Sequence, residues 1–243
     1  MSKIRLDLLL VKRGFAETRQ KAQCLIREGM VYTKGKILDK PGLLVKEDIE
    51  IFLKEKPKYV SRGGYKLEGA ILNFNLNLKD LICLDVGSST GGFVDCLLKF
   101  GAKRVYAIDV GKNLLNENLK KDERVVLIED LNVRFFKEEM VSERVDLITI
   151  DVSFISLKLV IPPVISVLKK EGILLPLFKP QFEVGKKDVG KGGIVKNEEK
   201  IKEKMEEMIK FVEGLNFKFF NFLPSPIKGQ KGNQEYFLLF KKC

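Results

Sequence analysis

Histidine is absent from the chain, and so is tryptophan. Without histidine, a general base must be Lys, Asp, Glu, Tyr or Cys, which excludes His-based triads and most zinc hydrolases. Without tryptophan, stacking on a base falls to Tyr, Phe or Arg. Cysteine is scarce. Cys24, Cys83, Cys96 and Cys243 are never at CxxC spacing, so neither a metal site nor a disulfide framework is expected. No apolar run approaches the roughly 20 residues of a membrane span. The longest, 148–150 and 173–178, are strand-length. The apolar cluster 8–11 lies between Asp7 and Lys12 and is too short and too charged for a signal peptide. These absences point to a cytoplasmic protein with no membrane partner.

What is present is positive charge, +11 over 243 residues. Residues 1–60 hold fourteen Lys and Arg against eight Asp and Glu, a net of +6; the remaining residues carry thirty against twenty-five. Such an excess favours a polyanion through phosphate contacts and counterion release. Charge alone is equally consistent with solubility.

Residues 3–60 read as a compact unit. Ile4, Leu6, Leu8, Leu9 and Val11 lead to a helix stop at Arg13-Gly14. Thr18 caps a second helix carrying Ala22, Leu25 and Ile26, ending at Gly29. Residues 31–36 form a strand with a tight turn, Pro41-Gly42 a further turn, and Ile49, Ile51 and Leu53 a final strand. The stretch RLDLLLVKRGFAETRQKAQCLIREGMVYTKGK resembles the S-four type of RNA-binding domain. That resemblance implies an RNA-facing second helix and turn, with Arg5, Arg13, Arg19, Lys21, Arg27, Lys34 and Lys36 as candidate phosphate contacts. Singly, each is as well explained as a solvated charge. The expected division is an RNA-binding domain at 1–57, a linker at 58–64 in which Ser61-Arg62-Gly63-Gly64 reads as polar and flexible and leads into the second domain, and that second domain at 65–243.

In that second domain strands alternate with helices. Strands are expected at 82–86, 104–108, 125–128, 147–150, 172–178, 218–223 and 235–240, and helices at 67–74, 91–100, 112–121, 156–170 and 198–213. This order implies an α/β, Rossmann-like fold with a mostly parallel seven-stranded sheet, closed at one edge by an antiparallel pair in the class I methyltransferase manner. Ligands of such sheets sit at the C-terminal strand ends. The first strand ends in Asp85-Val86-Gly87-Ser88-Ser89-Thr90-Gly91-Gly92-Phe93 and the second in Asp109-Val110. The glycine spacing is not GxGxxG. An acid ahead of the first glycine suits the cationic amino-acid end of S-adenosyl-L-methionine, and an acid at the second strand end suits ribose hydroxyls. A nicotinamide cofactor or a purely structural turn is the weaker reading.

The fourth strand end, Asp151-Val152-Ser153-Phe154, lacks the Pro-Pro-aromatic and Pro-Cys signatures of base methylation. Asp151, Lys179, Lys66 and Glu235 instead match the Lys–Asp–Lys–Glu tetrad of RrmJ/FtsJ-type ribose 2'-O-methyltransferases. A ribose hydroxyl must lose its proton as it attacks. A lysine serves as base when burial or a nearby cation lowers its pKa; Lys66 is expected to supply that second charge near Lys179, with Asp151 and Glu235 orienting the lysines and the hydroxyl. A plain Lys179–Asp151 ion pair at the sheet edge is the structural alternative.

The segments VSRGGYKLEGA, LDVGSSTGGFVDCLL, VYAIDVG, DVSFISL, FKPQFEVGK and SPIKGQKGNQEYF are similar to the TlyA family, whose members are often labelled haemolysins. The resemblance spans nearly the whole chain. It implies 2'-O-methylation of cytidine in ribosomal RNA, of the large subunit for the short form that this chain resembles, with the small subunit added in the longer form. It implies cofactor contacts at Asp85, Gly87, Ser88, Ser89, Thr90, Gly91, Gly92, Phe93, Asp109 and Val110, and at Glu129, Asp130 and Asn132 in an adenine-side loop, although Asp130 departs from the family's usual small residue. The Gly- and Lys-rich stretch 185–195 reads either as a loop beside RNA or as a plain connector. Rival readings are a cytolysin, which the missing membrane segments disfavour, and a non-catalytic ribosome-assembly factor, which the intact tetrad disfavours. Ribosomal RNA or a ribosomal subunit is the expected partner; no protein partner is evident, and the oligomeric state is left open.

Overall fold

The computed structural model describes residues 3–27, 29–54, 57–229 and 231–243, and only the backbone of Lys186. Gln230, within the last quoted motif, lies outside the described residues. The chain divides into two compact units, Met1–Lys58 and Tyr59–Cys243.

The first unit runs β1 (Lys3–Arg5), α1 (Leu6–Lys12), α2 (Arg19–Arg27), β2 (Val31–Thr33), β3 (Lys36–Ile37), β4 (Leu44–Lys46) and β5 (Phe52–Leu53). Gly14 stops α1 with a φ of +75°. The Thr18 hydroxyl accepts from the Lys21 amide at 3.2 Å and starts α2. Lys34 and Gly35, both at positive φ, turn β2 into β3. Leu6, Leu9, Leu10, Ala22, Ile26 and Val31 close the core. The strand expected at 49–53 shrinks to two residues, and β4, which pairs with β1, has no counterpart in the sequence pattern. In so small a sheet, pairing decides the strands more than alternation does.

The second unit runs α3 (Arg62–Asn73), β6 (Ile82–Val86), α4 (Gly92–Lys99), β7 (Arg104–Ile108), α5 (Glu117–Lys120), β8 (Val125–Ile128), β9 (Val145–Ile150), α6 (Leu157–Val164), β10 (Leu168–Phe178), α7 (Pro180–Glu183), α8 (Glu198–Glu213), β11 (Phe217–Pro224) and β12 (Tyr236–Lys242). The sheet order is β11-β12-β10-β9-β6-β7-β8, with β12 antiparallel to both its neighbours and the other pairings parallel. This is the α/β, Rossmann-like sheet of class I methyltransferases. The central strands are mostly apolar because both faces are covered, with Asp85 in β6 and Asp146 and Thr149 in β9 among the exceptions. Leu84, Ile148 and Leu174 enter one core with α6 and α8, while Cys83, Leu147 and Leu175 enter the other with α3 and α4.

Three expectations are corrected. First, 62–64 are not linker but the first turn of α3, and Tyr59 is buried. The glycines serve close packing, not flexibility: a Cβ on Gly64 would collide with the Tyr59 ring, and one on Gly92 with the Ser61 hydroxyl. Second, the helix expected at 112–121 forms only at Glu117–Lys120, since Asn113 is left-handed and Asn116 caps the Asn118 amide at 2.9 Å. Third, the helix expected at 156–170 ends at Val164. Pro162 and Pro163 remove two N–H donors, and Leu168 already pairs with β9.

Candidate active site

The site lies at the C-terminal ends of the parallel strands, within the second unit. After β6 the chain turns at Gly87, φ +86°, where a Cβ would strike the Asp151 carbonyl. Only glycine lets the β6 and β9 ends approach this closely. Ser89 is also left-handed, and its amide donates to Asp109 Oδ2 at 2.7 Å; the Gly111 amide donates to Oδ1 at 2.7 Å. Asp109 is thereby fixed at the end of β7 and half-buried.

Asp85 is fully buried. The Thr149 hydroxyl donates to its Oδ1 at 2.7 Å, while Oδ2 has no partner among the described residues. Burial pushes its carboxyl up to about 7; the Thr149 hydrogen bond opposes this, and the Asp151 and Asp109 charges add to it. A buried carboxylate oxygen without a donor is costly unless a ligand completes it. The Ser88 hydroxyl is likewise buried and without a partner among the described residues.

Two clefts meet here. One, of about 410 Å³, is lined by Asp109, Val110, Leu131, Asn132, Val152 and Ile155 among others. The other, about 640 Å³, is lined by Ser88, Thr90, Gly92 and Phe93 and by Lys66, Asp151, Lys179 and Glu235. Gly87 and Ser89 line both. Asp85 and Gly91 line neither cleft. Glu129 and Asp130 line neither cleft; exposed Asp130, at φ +58°, pairs with Lys112 at 2.8 Å. The expected adenine-side loop thus presents Asn132 and not its two acids.

Lys66, Asp151, Lys179 and Glu235 come from α3, the end of β9, the end of β10 and the entry to β12. Lys66 Nζ meets Glu235 Oε2 at 2.6 Å, and Lys179 Nζ meets Asp151 Oδ1 at 2.6 Å and donates to Ser153 Oγ at 3.2 Å. Each lysine therefore has its own carboxylate. All four side chains are largely shielded from solvent. Burying two ion pairs is a poor route to stability, because desolvation consumes most of the Coulomb gain. Placed in a cleft, they point to chemistry.

The sequence pattern did not single out the surroundings. Gln181 Nε2 donates to Glu235 Oε1 at 3.4 Å. Glu183 accepts from the Leu157 amide at 2.8 Å and the Ser156 hydroxyl at 2.6 Å, stapling the segment after β10 to the start of α6. Burial raises its pKa. Phe154, φ +64° and 88% exposed, lines both clefts with its ring 5.1 Å from that of Phe182. A positive φ at an exposed aromatic beside a cleft was its only findable signal, and it is a conformational one. Asn233 is buried; it accepts from the Val195 amide at 2.9 Å and donates to the Gly193 carbonyl at 2.7 Å, so the 185–195 stretch is tied down at its end.

In the first unit Arg5 and Arg19 both reach Asp7. The Arg13 guanidinium is spent on the Ile49 and Glu47 carbonyls, and Lys21 pairs with Glu17. Arg27, Lys34 and Lys36 form no ion pair among the described residues. Arg13 thus braces its own fold, which makes it the weakest of the seven candidate phosphate contacts.

Comparison with known proteins agrees with this division. Residues 59–242 match the model of FtsJ-like methyltransferases, and residues 4–51 that of the S4 domain. Hemolysin A of Brachyspira hyodysenteriae is 42% identical over 98% of this chain and 99% of its own length. The 16S/23S rRNA (cytidine-2'-O)-methyltransferase TlyA of Mycobacterium tuberculosis is 39% identical over 96% of this chain and 88% of its own. A solved structure from Streptococcus thermophilus, provisionally labelled a hemolysin, shares 40% identity and a TM-score of 0.76, covering 100% of this chain and 89% of that one.

Proposed function

This chain belongs to the TlyA family of FtsJ-like methyltransferases that carry an S4 domain, and on that premise we propose that it methylates the 2'-hydroxyl of cytidine in ribosomal RNA, drawing on S-adenosyl-L-methionine. The observation that carries the reading is the pair of shielded Lys–carboxylate couples beside the Gly87 turn and Asp109.

The residues present fit that donor. Asp85 Oδ2 and Ser88 Oγ have no partner among the described residues, Gly87 lets the turn sit against the Asp151 carbonyl, and Asp109 offers a fixed carboxylate for ribose hydroxyls. Asp85, Gly87, Ser88, Ser89, Thr90, Gly92, Phe93, Asp109, Val110 and Asn132 are the proposed contacts, with Gly91 shaping the turn. When bound, S-adenosyl-L-methionine supplies a methyl group on a cationic sulfur.

The chain's own residues prepare the acceptor. Lys179 Nζ, held in place by Asp151 and Ser153, is the atom that takes the hydroxyl proton. Lys66, held by Glu235, faces negative charge with its ammonium as it develops on the hydroxyl oxygen. Glu235 is held in turn by Gln181. The Phe154–Phe182 pair gives the cleft an apolar rim. The S4 unit is the proposed RNA-binding surface, with the Gly- and Lys-rich 185–195 stretch a second contact. A ribosomal subunit, met in the cytoplasm, is the proposed substrate particle, large-subunit RNA before small.

The test is methyl transfer from labelled S-adenosyl-L-methionine to separated ribosomal subunits and free rRNA, followed by nucleoside analysis. Label in 2'-O-methylcytidine is expected. Label on a base would refute the lysine mechanism while leaving fold and donor intact, and the labelled subunit assigns the target.

A further inference from the structure

Asp7 is an acid fully buried in a unit read as binding a polyanion. Five donors converge on its carboxylate. Arg5 meets it with Nε on Oδ1 and a terminal nitrogen on Oδ2, both at 3.0 Å. Arg19 Nε donates to Oδ2 at 3.0 Å, Gln23 Nε2 to Oδ2 at 2.9 Å, and the Leu8 amide to Oδ1 at 3.0 Å. Arg5, Gln23 and Arg19 together hold the acid well below the usual carboxylate range.

The arginines are not spent by this. Among the described residues Arg5 keeps one terminal amino group unbonded and Arg19 keeps both, and their side chains are 41% and 52% exposed. The two come from different elements, β1 and α2. The Pro41-Gly42 turn packs against the first of them: a Cβ on Gly42 would stand 3.4 Å from an Arg5 terminal nitrogen. A flexible arginine loses side-chain entropy when it grips a phosphate; one already held in place has lost it beforehand.

We propose that Asp7 is a positioning residue that sets Arg5 and Arg19 as a preformed two-pronged clamp for RNA phosphate. The inference rests on the reading of the S4 unit as the RNA-binding surface. It reverses the electrostatic expectation. For a simple basic patch, neutralising an acid strengthens binding; for a clamp, it releases the prongs and weakens binding.

The experiment is equilibrium binding of the full-length protein to purified large-subunit rRNA over a salt series, with thermal melting as the check on folding. For Asp7→Asn, affinity is expected to fall about tenfold and the magnitude of the log–log salt slope by about 1 to 2, the loss of up to two phosphate contacts. In an Arg5→Ala/Arg19→Ala background Asp7→Asn should have no further effect on binding, whereas a merely structural role would weaken binding in that background as well. Should Asp7→Asn not fold, Arg5→Lys/Arg19→Lys keeps the charge but not the bidentate geometry, and should lose similar affinity. Wild-type affinity and slope in Asp7→Asn, or tighter binding, overturn the clamp while leaving the RNA reading intact. Wild-type affinity in Arg5→Ala/Arg19→Ala overturns the clamp by removing the arginines from the interface. No binding by the unmutated protein overturns the RNA reading itself.

Discussion

Replacing Asp85 by Asn should make the ligand-free methyltransferase unit more stable at high pH, although the residue belongs to the proposed cofactor site. The Asp85 carboxyl titrates near 7 in the fold, against about 3.9 in an unfolded chain. A group raised on folding favours the folded state fully below its unfolded pKa, and that advantage is lost as pH rises through the folded pKa. The window is therefore about pH 4 to 7, and the full cost of an ionised Asp85 above it is about 4 kcal/mol. About 2 kcal/mol of this should develop between about pH 5.5 and 8.5. For a unit of this size that is a melting shift of roughly 4–8 °C. In Asp85→Asn the amide oxygen can still accept from Thr149, and the pH-dependent loss should vanish. The new amide N–H₂, unpartnered where Oδ2 stands, returns about 1–3 kcal/mol of the gain at every pH. The assay is calorimetric melting of ligand-free wild type and variant across this range, repeated with saturating S-adenosyl-L-methionine. The donor should flatten the wild-type curve by supplying a cation to Asp85, and should bind the variant much more weakly. Parallel wild-type and Asn curves in the ligand-free proteins would refute the reasoning, because no other residue differs between them.

Three further outcomes are expected. Lys179→Ala should lower kcat by about 100-fold or more while leaving donor affinity, measured by calorimetry, near wild type; an unchanged rate would remove Lys179 from proton transfer. Gly92→Ala should cost about 1–3 kcal/mol by forcing α4 away from Ser61 and Gly63, read as a lower denaturation midpoint. Glu183→Ala should cost about 1 kcal/mol as a lost helix cap and lower kcat more than it changes donor affinity, because it loosens the segment that carries Phe154 and Asp151; a fall confined to donor binding would contradict that placement.

The parts of the fold legible in the sequence are those where local pattern and tertiary demand coincide. β6, β7 and β8 lie where the apolar runs place them, because strands packed between helices are apolar over most of their length. The helices were less legible. Pro162-Pro163 marked where α6 weakens, but the early return to β10 depended on pairing with Val145. Gly64 looked like freedom and proved to be contact, a distinction that composition does not contain, since the same missing Cβ serves both ends.

The same division holds for the candidate site. Residue types were readable: a Gly-rich turn opened by Asp85, an acid at 109, and two lysines with two acids in the order their chemistry needs. What tertiary structure alone decided is who faces whom. Lys66 and Glu235 are 169 residues apart and meet at 2.6 Å, and only the sheet order, with β12 inserted beside β10, makes them neighbours. Asp85 carries no mark of an unusual acid in sequence; its raised pKa comes from complete burial. Asp7, read only as a charge flanking an apolar cluster, is the centre of a five-donor cluster because β1 and α2 converge on it. Side-chain chemistry is local and belongs to the sequence, whereas burial, pairing and electrostatic environment are properties of three-dimensional neighbours and exist only once the chain has folded.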